Sequence, residues 1–193
     1  MRKFNSFVFS LVLVLAVAVS SFASDGLSVG DQVSDFSITN YDGNTYTLST
    51  SGGNATVVVF MSTECPFVQP YTDRLNALVS DFSSQGIVIW GINSNSTEST
   101  DDVQAHAAGK GYTFPMLKDN KNIVADQFGA QRTPEVYVID NKTMTIVYHG
   151  RIDDDKEASK VSSQDLKNAL TQFLNGESIT VAETKAFGCT IKR

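Results

Sequence analysis

The chain has 193 residues, with 15 basic and 21 acidic side chains and a formal net charge of −6. That balance repels polyanions, and no cluster of Lys and Arg offsets it, which argues against nucleic acid as a partner. Two cysteines permit a single bridge, so this is not a disulfide-dense scaffold.

The chain opens with the basic Met1-Arg2-Lys3, then an apolar run from Phe7 to Val19, then the small residues Ser21-Phe22-Ala23. This order predicts a secretory signal peptide over residues 1–23, cut after Ala23. The apolar run is shorter than the roughly 20 residues that a bilayer-spanning helix needs, so membrane contact is expected only through the transient leader. Removing the leader takes Arg2 and Lys3 from the 15 basic residues, leaving 13 against 21 acidic, a balance of −8. Residues 24–193 remain, a length of about 170 that suits one domain. The expected location is periplasmic or secreted, where a disulfide persists.

Asp35–Thr39 and Thr45–Leu48 alternate polar and apolar side chains around Asp42-Gly43, which predicts an N-terminal β-hairpin. Thr56–Met61 is a nearly unbroken apolar and β-branched run, the pattern of a strand covered on both faces. After Cys65 and Pro66, the residues Phe67, Tyr71, Leu75, Leu78, Val79 and Phe82 follow at helical spacing, and Gly86 ends the helix. Ile87–Asn93 is a second buried strand, so residues 56–93 form a βαβ unit with a right-handed crossover. Ser94–Thr100 is polar, Asp101 to about Ala108 is helical, and Tyr112–Leu117 is extended. Lys121–Phe128 makes a short helix stopped by Gly129, and Glu135–Ile139 with Thr145–Tyr148 forms a hairpin. Ser162 or Ser163 caps a last helix to about Leu174, with Gly176 beyond it. This order implies a mixed sheet with helices on both faces.

Cys65 falls at the strand-to-helix turn, where a Pro-led helix start supplies unpaired N–H groups that stabilise a thiolate. Glu64 opposes this unless it points into solvent. Any intramolecular disulfide chemistry of Cys65 requires Cys189, the fifth residue from the end. Two roles stay open for the pair, a reactive dithiol with Cys189 on a mobile tail or a fixed staple. His106 and His149 fit no metal-ligand spacing, so no metal is expected. Asp153-Asp154-Asp155 is expected to be a solvated acidic turn. Asn54, Asn95 and Asn141 head N-x-Thr sequons in predicted loops.

Several stretches carry a family likeness: Val58 to Val68 around Cys65, Gly91–Asn95, Gly111–Asp119, Arg132-Thr133-Pro134-Glu135, Tyr148–Asp154 and Gly188–Lys192. They resemble the alkyl hydroperoxide reductase and thiol-specific antioxidant (redoxin) superfamily, in particular an exported peroxiredoxin-like branch. The resemblance implies an α/β, thioredoxin-like fold with a cis Thr133-Pro134 bond beside the reactive cysteine. It implies no cofactor, and a partner that is a protein thiol or disulfide, or a peroxide. Ser62 stands where many thioredoxin-like relatives have the first cysteine of Cys-x-x-Cys, and Val58 stands where the peroxiredoxin motif has proline. Within that likeness, Ser62 matches the peroxiredoxin threonine that bonds the sulfur or a peroxide oxygen, and Arg132 lies near the family's cis-proline.

The leading expectation is an exported thiol-disulfide oxidoreductase with Cys65 as nucleophile and Cys189 as resolving cysteine. A two-cysteine thiol peroxidase is the second, and a non-catalytic domain with a structural Cys65–Cys189 bridge is the third.

Overall fold

A computed structural model describes residues 26–193; the expected signal peptide lies outside the described residues. Among the described residues no helix is long and apolar enough to cross a membrane.

The N-terminal hairpin pairs β1 (Ser37–Thr39) with β2 (Thr45–Thr47), bringing Ser37 opposite Thr47. Gly43 takes a φ of 81° at its tip, where an L side chain is strained. Next comes β3 (Ala55–Met61), every residue of which is buried. Its alternate side chains serve two cores: Val57, Val59 and Met61 face one layer, and Val58 and Phe60 the other. Truncating Phe60, fully buried among Phe128 and Tyr137, should cost about 3–5 kcal/mol.

Helix α1 (Thr72–Phe82) begins later than Pro66 suggests, after a 3₁₀ turn at Gln69–Tyr71. Pro70 sits in that turn, and it is this proline, with its fixed φ and missing N–H, that opens the helix. Strand β4 (Ile87–Asn93) follows, parallel to β3, and helix α2 (Thr100–Lys110) starts at a capping box between Ser99 and Asp102. Then come β5 (Met116–Lys118) and α3 (Ile123–Phe128). The two-residue β6 (Arg132–Thr133) precedes β7 (Glu135–Asp140) and β8 (Thr145–Gly150). Helix α4 (Asp165–Leu174) and the short β9 (Cys189–Thr190) complete the chain.

The five-stranded sheet has the order β5-β4-β3-β7-β8, parallel on the β4 side of β3 and antiparallel on the β7 side. Leu75 and Leu78 of α1, Val103 of α2 and Leu166 and Leu170 of α4 pack on one face. Val124 and Phe128 of α3, with Phe36, Ile38 and Leu48, cover the other. The mixed sheet, its two helical layers and the N-terminal hairpin agree with the sequence reading.

Three local expectations are corrected. Neither Ser162 nor Ser163 caps α4: Ser162 donates to Asp154, and the Ser163 hydroxyl donates to Asp165. Asp153 is buried, paired with Arg74 of α1 at 2.6 Å, and is no part of a solvated turn. Asn95 is also buried, its amide donating to Glu98, so this sequon is not presented at the surface.

Candidate active site

The turn from Ser62 to Val68 leads out of β3 and is built by side chains as much as by backbone. Ser62 Oγ accepts from the N–H groups of Glu64 (3.2 Å) and Cys65 (3.1 Å) and donates to Glu98 Oε1 at 2.5 Å. Thr63 donates to Glu98 Oε2 through both its N–H and its hydroxyl, each at 2.7 Å. Ser62 thus holds the Cys65 backbone, while its hydroxyl proton is committed to Glu98 and not to the sulfur.

Cys65 is 2 % exposed. Its Sγ lies 2.6 Å from Cys189 Sγ and 3.2 Å from the Thr133 carbonyl oxygen. Pro134 follows through a cis peptide bond, as the resemblance implies. The Thr133 hydroxyl is buried with no other partner among the described residues, and it is available to a thiolate. Burial pushes the Cys65 thiol up, but hydrogen bonds from Cys189, Thr133 and the Phe67 N–H outweigh it and leave the group below the ordinary thiol range. Cys189 moves the other way: burial, the hydrogen bond to Cys65 and the charge on Cys65 push it up to about 11. The first proton therefore leaves Cys65, and the second comes off against that charge.

Cys189 reaches this point because β9 pairs antiparallel with β6, Thr133 opposite Cys189 and Arg132 opposite Thr190. Gly188 makes the approach possible. With a φ of 151°, its added Cβ would sit 2.1 Å from the Thr133 carbonyl oxygen. Downstream the segment is tied in: Ile191 is buried and its N–H donates to Gln131, while Lys192 N–H donates to Asn95 Oδ1 at 2.8 Å. Arg193 donates to Asp126 and to the Ala130 carbonyl. Cys189 thus sits on a paired strand whose C-terminal side is anchored.

Arg132 is exposed, and its guanidinium donates to Thr190 Oγ1 at 3.0 Å, across the β6–β9 pair. It bridges the strands and makes no hydrogen bond to Cys65. Glu135, just after Pro134, is buried and accepts from the N–H groups of Gln131 (2.8 Å) and Arg132 (2.7 Å), from the Tyr137 hydroxyl and from His149 Nε2 at 2.9 Å. Burial raises its carboxyl, yet these donors hold it below the ordinary range. Phe67 and Phe187, neighbours of the two cysteine segments, meet edge to face at 6.4 Å and stay partly exposed, a small aromatic rim. Among the described residues no group of three or more His, Cys, Asp or Glu is placed to hold a metal.

Glu98 and Glu135 are the site residues that sequence reasoning missed. Glu135 had a positional signal, directly after Thr133-Pro134. Glu98 had only the amides Asn93 and Asn95 upstream, at the end of an apolar strand.

A central mixed sheet with a cysteine pair beside a cis-proline defines a thioredoxin-like protein. The fold is shared with the thioredoxin domain of a thiol-disulfide oxidoreductase from Bacteroides vulgatus, with a TM-score of 0.62, 18% identity, and coverage of 77% of this chain and 99% of that one. A hypothetical protein from Sinorhizobium meliloti is nearer, with a TM-score of 0.79, 32% identity, and coverage of 86% of this chain and 94% of that one. The AhpC/TSA family model matches residues 29–149, and the chain belongs to that family. In sequence it is also 25% identical over 147 residues to the thiol-disulfide oxidoreductase ResA of Halalkalibacterium halodurans, covering 72% of this chain and 82% of the relative.

Proposed function

We propose that the protein is an exported thiol-disulfide oxidoreductase, with residues 24–193 as one redoxin domain, Cys65 as nucleophile and Cys189 as resolving cysteine. The observation that carries this is the meeting of the two cysteine sulfurs, Cys65 Sγ 2.6 Å from Cys189 Sγ, at the turn that leads out of β3. Its relatives include proteins named thiol-disulfide oxidoreductases. The export element rests on the order of residues in the expected leader.

In the reducing direction the Cys65 thiolate attacks one sulfur of a partner disulfide. A Cys65–partner bond forms and the other partner sulfur leaves as thiolate. Cys189 then loses its proton and attacks Cys65 Sγ, forming the intramolecular bridge and expelling the second partner thiolate. Two electrons have passed to the partner, and an external dithiol restores the reduced pair. Ser62 and Thr133 act as supports, by holding the Cys65 N–H and by facing the sulfur. Pro134 directly follows β6, and Arg132 clasps β9 through Thr190.

The peroxidase reading receives less support, because the Ser62 hydroxyl is spent on Glu98 and Arg132 faces Thr190. A purely structural bridge fits poorly with a partly exposed Cys189. The test is a redox titration together with trapping by Cys189→Ser. A potential above about −300 mV and a stable mixed disulfide on Cys65 are expected. A bridge that resists mild dithiol, with no trapped partner, would refute the proposal.

A further inference from the structure

Glu98 reaches both cysteine-bearing segments without bonding either sulfur. It is 3 % exposed, and five donors converge on its two oxygens. Oε1 accepts from Ser62 Oγ (2.5 Å) and Asn95 Nδ2 (2.6 Å). Oε2 accepts from the Thr63 N–H and hydroxyl (2.7 Å each) and from Asn93 Nδ2 (2.6 Å). An ionised carboxylate is acceptor-only and matches such a set; an amide does not.

Two arms lead from this group. In the first, Ser62 gives its proton to Glu98, so its lone pairs are left for the N–H groups of Glu64 and Cys65. In the second, Asn95 gives its NH₂ to Glu98, so its carbonyl oxygen is left for the Lys192 N–H at 2.8 Å. Lys192 lies three residues beyond Cys189, and its own carbonyl is held by the N–H of Ser96 and by Asn122. Lys118 Nζ braces the cluster from below, donating to Asn93 Oδ1 and the Asn95 carbonyl.

We propose that Glu98 is a positioning residue: by fixing the polarity of Ser62 and Asn95 together, it holds the Cys65 turn and the Cys189 strand in register for disulfide exchange. The register has a functional meaning only if the pair is the working dithiol argued above, but the coupling itself does not depend on that reading. A glutamine shows why. With its NH₂ at the Oε1 position, it would add a third donor to Ser62 Oγ and force Asn95 to turn, releasing Lys192. With its NH₂ at the Oε2 position, it would oppose the Thr63 N–H, which cannot turn.

The experiment has two readouts. With the protein kept reduced by excess phosphine, Glu98→Gln should speed hydrogen exchange of the Cys65 and Lys192 amides together, by about tenfold. Ser62→Ala should free only the first amide and Asn95→Ala only the second; if Glu98→Gln does not fold, Glu98→Asp, which keeps the charge but draws the carboxylate back from its donors, carries the test and should also move both amides together. In redox titration, Glu98→Gln should lower the effective concentration of Cys189 at Cys65 about tenfold, moving the potential about 30 mV more positive. Asp165→Asn, which weakens the half-buried Arg151–Asp165 pair, should lose stability and leave the potential in place. In Glu98→Gln, movement of one amide alone or of neither would overturn the coupling, and an unmoved potential would overturn the register claim. A wild-type pair that exchanges with no dithiol would refute the oxidoreductase reading while the amide result still decides the coupling.

Discussion

Closing the Cys65–Cys189 bridge should stabilise the fold by nearly 5 kcal/mol. The perturbation is oxidation alone, with no substitution. The cysteines are 124 residues apart in sequence, and the chain-entropy treatment gives about 4.9 kcal/mol for a closed loop of that length. Native strain would subtract from this, but β9 is already paired to β6, and Ile191 and Lys192 are anchored, so oxidation orders little that is still free. The same free energy, read as a redox quantity, makes the native pair about 105 mV harder to reduce than the unfolded one, at roughly 30 mV per 1.4 kcal/mol. Urea unfolding of the oxidised and the phosphine-reduced protein, fitted with separate slopes, measures the difference directly. A gain below about 1 kcal/mol, well short of the loop estimate, would mean that the two sulfurs do not bridge in this geometry, and the dithiol assignment would fall with it.

Cys189→Ala should raise the Cys65 pKa, since burial then acts with the strongest lowering hydrogen bond gone; alkylation rate against pH reads the shift, and an unchanged or lower midpoint refutes it. Gly188→Ala should push β9 off Thr133 and slow bridge formation at least tenfold, on the order of 1.4 kcal/mol, with a smaller effect on urea stability. Glu98 and Glu135 both have depressed carboxyl pKa values in the fold. Their contribution is therefore complete above the unfolded glutamate value near about 4.3 and is lost as pH falls through the folded values. Replacing Glu135 by Gln should flatten that acid limb of stability against pH, and an unchanged slope would contradict the assignment.

What the sequence disclosed, and what it hid, follows from where each signal resides. Thr56–Met61 and Ile87–Asn93 could be read as buried parallel neighbours because a strand covered on both faces has no polar side to vary, and the pattern lies within a few residues. Cys65, Thr133-Pro134 and Cys189 were likewise legible, each by residue type at an element boundary, and the fold brings them to one point. Glu98 was not. Nothing in a polar stretch of Asn, Ser and Thr distinguishes a solvated glutamate from one that five donors surround, because three of those donors come from the Ser62–Thr63 turn, some 35 positions away. Asp153 escaped for the same reason, its partner Arg74 standing 79 residues earlier on α1. Apolar burial leaves a periodic trace along the chain, whereas buried charge is decided by which segments the fold brings together. Cys65 marks the candidate site in one dimension; the carboxylates that hold its turn and the cis-proline loop become visible only in three.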